Sequence, residues 1–277
     1  MTRSPDIVRL ALVCLTTALS ACAGRSQEGG PTIDDNDARI SGAAHAAVSV
    51  DTAVGGSGAA PPAGAPEESD GEREFRELLA SMGVRLDRAA RTLRVDGWVN
   101  MQKGLVEVFA CAPDGKTHEA VVVIDCVPSG LHAGLLALGL EPGTPVELGT
   151  DAEYKPPTGA LIDIRVRWRD AAGRERIAHA EDWVWNQLEE RAMHRAPWIF
   201  AGSFLQESPG VPGERTYAAN YVKSVVTTYH DASSVIENPS VAGADDTVYY
   251  AHEAVLPPAG TPVRVEFAPA GVGSAAE

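Results

Sequence analysis

Apolar and polar positions along this chain fall into three rhythms, and each predicts a different element. Between Asp70 and Gly83, Phe75, Leu78, Leu79 and Met82 recur at helical spacing, which predicts a short amphipathic N-terminal helix with Asp70 as its cap. Val84 and Leu86, then Leu93, Val95 and Val99, alternate with polar residues on either side of a turn at residues 87–91, which is a hairpin pattern. Residues 161–168 alternate again, turn at 170–173 and return over 176–185, predicting a second hairpin. Further strands fall at residues 223–230, 247–251 and 261–267. Residues 231–239 read as a strand exit or a single helical turn.

The densest stretch runs from Gly97 to Gly139. Residues 105–111 and 118–126 are rich in β-branched and aromatic side chains, and Pro113-Asp114-Gly115 between them is turn chemistry: proline presets φ and glycine takes the left-handed position. A tight antiparallel hairpin centred there would set Cys111 across from His118 or Glu119, with Cβ atoms about 4.5–5.5 Å apart. The same register would hold Cys126 roughly 23 Å along the strand from His118, which argues for two unpaired thiols over a disulfide. After it, Pro128 and Ser129 cap a helix whose Leu131, Leu135, Leu136 and Leu138 leave almost no polar face, so this helix must be buried. The fold expected is α+β: mostly antiparallel β, with one buried helix after the central hairpin and the short helix in front.

Two segments lie outside that core. Residues 1–21 have the form of a secretory signal, with Arg3 and Arg9 ahead of an apolar run too short to span a bilayer. Leu19-Ser20-Ala21-Cys22 resembles the bacterial lipobox, so Cys22 is the expected lipidated N-terminus and the membrane the expected partner. Ala23 follows it, not the aspartate that tends to mark inner-membrane retention, which favours an outer-membrane or cell-surface address. Residues 22–70 are then Gly-, Ala-, Ser- and Pro-rich, a tether with a reach of roughly 40 Å as a random coil. Residues 71–268 form the folded domain and 269–277 a flexible tail.

Charge narrows the partners. Twenty-three Lys and Arg against 38 Asp and Glu give a net charge of −15, which repels phosphate backbones and excludes nucleic acid. Candidate chemistry is confined to Cys111, His118 and Glu119, joined by His132 or His230: a thiol, an imidazole and a carboxylate suited to nucleophilic catalysis or to binding zinc or copper. The structural reading stands ahead of both. In it Cys111 is a small core residue, His118 and Glu119 satisfy backbone groups, and His132 is a hydrogen-bonded core histidine. No cofactor and no catalytic residue is therefore assigned. A second set, His230, Asp231, Asp245, Asp246, His252 and Glu253, is acidic and loop-placed but lacks the pattern of a calcium loop. Trp168, Trp183, Trp185 and Trp198 read as a packed aromatic wall.

Five runs carry a resemblance. Cys111-Ala112-Pro113-Asp114-Gly115-Lys116-Thr117-His118-Glu119, Leu131-His132-Ala133-Gly134-Leu135-Leu136 and Glu181-Asp182-Trp183, with Trp198 to Ser203 and Leu256 to Val263, are similar to the YdjY domain. The resemblance spans residues 84–268 and implies an exported, often lipid-anchored bacterial protein without a settled activity. Related sequences often place serine after the His-Glu pair, where this chain has Ala120. The reading that results is an envelope-anchored, non-catalytic domain that binds a small ligand or an envelope partner; the alternative is a metal-binding or thiol-dependent enzyme.

Overall fold

The computed structural model describes residues 68–147 and 154–271. The signal, lipobox and most of the tether, with their expected roles, lie outside them. Helix α1 (Asp70–Ser81) opens the domain. Its cap is Ser69, one residue ahead of Asp70, and Ser69 and Glu72 form a reciprocal capping box. Strands β1 (Arg85–Asp87) and β2 (Thr92–Val99) make the expected hairpin, pairing Leu86 with Leu93. Strands β3 (Val108–Cys111) and β4 (Ala120–Ile124) precede helix α2 (Pro128–Ala137), and β5 (Leu161–Arg169) and β6 (Glu175–His179) form the second hairpin.

The remaining strands are short: β7 (Val184–Asn186), β8 (Arg191–Ala192), β9 (Trp198–Ile199), β10 (Leu205–Glu207) and β11 (Arg215–Tyr217). Helix α3 (Ala218–Val222) leads into β12 (Ser224–Thr227), β13 (Ile236–Glu237), β14 (Tyr249–Ala251) and β15 (Pro262–Pro269). Hydrogen bonding runs β2-β15-β5-β9-β13-β12-β3-β4 and returns from β4 to β2, closing an eight-stranded barrel. Closure leaves those strands no free edge. Inward positions alternate as the sequence pattern requires: Leu93 and Val95 of β2, Ile162, Ile164 and Val166 of β5, and Val263, Val265 and Phe267 of β15 share one core. Gly97 is where β2 meets β4: a Cβ there would lie 2.2 Å from the Val123 carbonyl oxygen.

This corrects the expected fold class. The domain is mostly β, with 19% of residues helical, and α2 does not stand alone behind a hairpin. It packs against both α1 and α3, its residues from Pro128 to Leu135 buried.

The central hairpin is also overturned. Strands β3 and β4 are parallel, with Ala110 opposite Val122 and Cys111 opposite Val123. Parallel neighbours usually need a crossover of about a dozen residues. Here both strands are short enough for the eight residues 112–119 to suffice. The chain turns at Ala112, whose carbonyl accepts the Gly115 N–H, and coils through a 3₁₀ turn, Thr117–Glu119. The Glu107 N–H then donates to the Glu119 carbonyl, so the return ends beside the start of β3. Asp114, not Gly115, takes the left-handed conformation, at φ +63°. Gly115 is small for another reason: a Cβ would sit 2.7 Å from that of Lys223.

Two smaller sheets complete the domain. Strands β10 and β11 pair with each other, and β14-β7-β8 forms a three-stranded layer whose Val184, Tyr249 and Ala251 face the core. Among the described residues no helix is long and apolar enough to cross a membrane.

Candidate functional site

The parallel pairing disperses the predicted cluster. Cys111 is fully buried with Val108, Ala120 and Val123 in a small apolar cluster separate from the main core. Burial, aided by the Glu119 charge, pushes its thiol up to about 12. Cys126 is likewise pushed to about 12 by burial and by Asp125, and both cysteines are free. A thiolate is the nucleophilic and metal-binding form, so neither is set up for attack or ligation at neutral pH. His118 points to solvent, its side chain 78% exposed, with Nε2 3.6 Å from Glu119 Oε2.

Glu119 belongs to a different group. The Lys116 ammonium lies 3.3 Å from Glu119 and 3.4 Å from Glu107, tying the parallel-strand return together. Burial and the neighbouring Glu119 charge raise the pKa of Glu107.

His132 is a core histidine. Its Nδ1 lies 2.8 Å from the Tyr217 hydroxyl and 3.1 Å from the Gly202 carbonyl, and that hydroxyl donates to the same carbonyl at 2.7 Å. Because the Gly202 carbonyl can only accept and the Tyr217 hydroxyl already donates its hydrogen to that carbonyl, Nδ1 carries the ring proton. Burial lowers its pKa to about 4, so the ring is neutral at physiological pH. It joins α2 to the loop after β9 and to β11. Among the described residues no group of three or more His, Cys, Asp or Glu side chains is arranged to hold a metal ion.

The structure adds two features. Glu237 of β13 and His230 are both fully buried, with Nδ1 3.3 Å from Oε2. Glu237 Oε1 accepts the Val146 N–H at 3.2 Å, and His230 Nε2 lies 2.9 Å from the Tyr154 hydroxyl. Glu237 thus fastens Val146, and His230 fastens Tyr154, to the barrel wall, while Nδ1 and Oε2 face each other without a hydrogen bond. His230 was among the residues expected to carry chemistry, but Glu237 sits in a two-residue strand without periodicity, and its role is visible only in the fold.

The second feature is a cleft of about 350 Å³ lined by Lys103, Gly104, Trp185, Gln187, Tyr250 and His252, among others. Trp185 of β7 and Tyr250 of β14 are directly opposed across the strand pair. Because successive strand residues face opposite ways, the register that buries Val184, Asn186, Tyr249 and Ala251 turns Trp185 and Tyr250 outward. The His252 ring packs 5.0 Å from the Trp185 ring, and its Nδ1 is held 2.9 Å from the Asp182 carbonyl. The Leu105 bridge to Tyr250 and the Ala251 N–H bond to the Gly104 carbonyl bring the loop before β3 alongside. The aromatic wall therefore holds only in part. Trp183 and Trp198 are buried and Trp168 packs edge-on against Trp183 at 5.1 Å, while Trp185 lines the cleft.

A closed barrel of mixed strand direction, carrying a small side sheet with an outward aromatic pair, defines the class of domain. The chain belongs to the YdjY family: the YdjY domain model matches residues 84–268, from just after α1 into β15. No curated protein and no solved structure matches it.

Proposed function

We propose that this chain is an envelope lipoprotein whose YdjY barrel serves as a ligand-binding domain. Support for the anchor comes from Leu19-Ser20-Ala21-Cys22 behind a short apolar run and from the Gly- and Ala-rich tether that follows. On this reading the lipid-modified Cys22 holds the barrel at the outer membrane or cell surface. Support for binding over thiol or metal chemistry comes from the burial of Cys111, which pushes its thiol up to about 12, while His118 stays exposed to solvent. The observation that carries the binding role is the Trp185–Tyr250 pair, two large aromatic side chains turned into a cleft from a layer that otherwise buries its apolar residues.

Two experiments test the two halves. In membrane fractionation, the chain pellets with membranes and Cys22→Ala moves to the soluble fraction; a variant that stays membrane-bound refutes the anchor. For binding, small-molecule extract of the envelope is dialysed against the Cys22→Ala chain with and without Trp185→Ala. At least one species is retained by the former alone, and equal retention by both refutes the cleft as the site.

A further inference from the structure

The cleft's chemistry points to a ligand class, an inference that rests on the binding reading above. We propose that the cleft takes a neutral carbohydrate, with a sugar ring laid on the Trp185–Tyr250 surface.

Four observations converge. Two aromatic residues line the cleft: Trp185 and Tyr250 stand opposite each other as a cross-strand pair, offering polarisable side chains to a ligand with an apolar face. The rim is polar and balanced. Lys103 Nζ lies 3.5 Å from Glu253 Oε2, so the one cation and one anion lining the cleft offset each other, and neither selects a charged ligand. Gln187 adds an amide that both donates and accepts. His252 is fixed in orientation, because a carbonyl can only accept, so Nδ1 bears the proton that meets the Asp182 carbonyl and Nε2 is left as the ring's free acceptor when neutral.

Donors and acceptors thus line the cleft together with an aromatic pair. Hydroxyl groups are suited to such a rim because each both donates and accepts, and a sugar ring carries several around a face of C–H bonds. A volume of about 350 Å³ lies near the lower end of small-molecule sites, roughly 300–1,000 Å³, and suits a short saccharide. Anionic alternatives are disfavoured twice over, by the neutral rim and by the protein's net charge of −15. A purely apolar ligand would cover the Gln187 amide and the His252 Nε2 without offering either a partner.

The test uses the full chain carrying Cys22→Ala and follows indole and phenol resonances by NMR during titration with neutral mono- and oligosaccharides. The same titrations are run with an anionic sugar phosphate, an alkylammonium and an aliphatic alcohol. The expected result is saturable shifts at Trp185 with a neutral saccharide, with Kd raised roughly tenfold or more by Trp185→Ala or Tyr250→Ala, and partly restored in Trp185→Phe. Gln187→Ala weakens the same binding without touching the aromatic pair, and serves if either aromatic truncation fails to fold. Shifts at Trp185 with only a charged or aliphatic probe overturn the carbohydrate assignment and leave the binding reading standing. No shift with any probe overturns both.

Discussion

Glu181 gives the sharpest quantitative test of the packing. It lies in the 3₁₀ turn Ala180–Trp183 that carries the chain from β6 to β7, and it is 4% exposed. Its Oε2 has no hydrogen-bond partner. Burial pushes the carboxyl from its ordinary 4.5 up to about 7, with the Asp182 and Asp163 charges adding and its own backbone N–H and Arg195 opposing. The unfolded chain loses this proton near pH 4.5 while the folded chain keeps it to about pH 7. Across that window the folded state binds more protons, so stability falls as pH rises and levels off above it. The interval, at about 1.36 kcal/mol for each pH unit, amounts to roughly 3 kcal/mol. Glu181→Gln carries no ionisable group and escapes this loss. The difference in unfolding free energy between wild type and variant therefore changes by up to roughly 3 kcal/mol in favour of the variant between pH 4 and pH 8. For a domain of this size that corresponds to roughly 6–12 °C in Tm. Urea denaturation followed by tryptophan fluorescence at five pH values measures it, and contributions from the other carboxylates cancel in the comparison. Parallel stability curves for the two proteins across pH 4–8 would refute the reasoning, because Glu181 would then titrate alike in both states.

Three further outcomes follow from the other buried groups. Glu237→Ala strands the Val146 N–H, and should cost about 1–3 kcal/mol by chemical denaturation; His230→Ala alone and the double variant should show coupling of about 0.5–3 kcal/mol, and additive costs would mean the 3.3 Å contact is energetically idle. Cys111 and Cys126 should resist alkylation at pH 8 in the folded chain and react once it is unfolded in guanidinium; modification of Cys111 in the native state within minutes would contradict its burial. Tyr217→Phe removes the hydroxyl that bridges the Gly202 carbonyl and His132, with an expected cost of about 1–2 kcal/mol, whereas His118→Ala on the surface should leave stability within about 0.5 kcal/mol.

Sequence periodicity determined much of this domain by itself. Two hairpins, β1–β2 and β5–β6, were legible because each pairs neighbours across a short turn, and period-two alternation selects their inward residues. The capped helix α1 and the burial of α2 were legible for the same local reason. The belonging of residues 84–268 to the YdjY family was also carried by short runs of sequence. What the sequence left undecided was direction and closure. Pro113-Asp114-Gly115 dictates a turn, but a turn does not say whether the chain pairs at once or crosses back, and here it crosses back. One signal was present: β3 and β4 are continuously apolar, without alternation, as parallel strands buried on both faces are. Barrel closure between β2 and β4, the Glu237–His230 contact seven positions apart across mostly irregular chain, and the Trp185–Tyr250 cleft join positions far apart in sequence or without local periodicity. Such contacts are set by how strands of different origin meet in one closed sheet. That is why Cys111, which the sequence set across from His118 and Glu119, is sealed inside the wall while His118 stays in solvent beside Glu119, and why Trp185, assigned to a packed wall, lines a cleft with Tyr250.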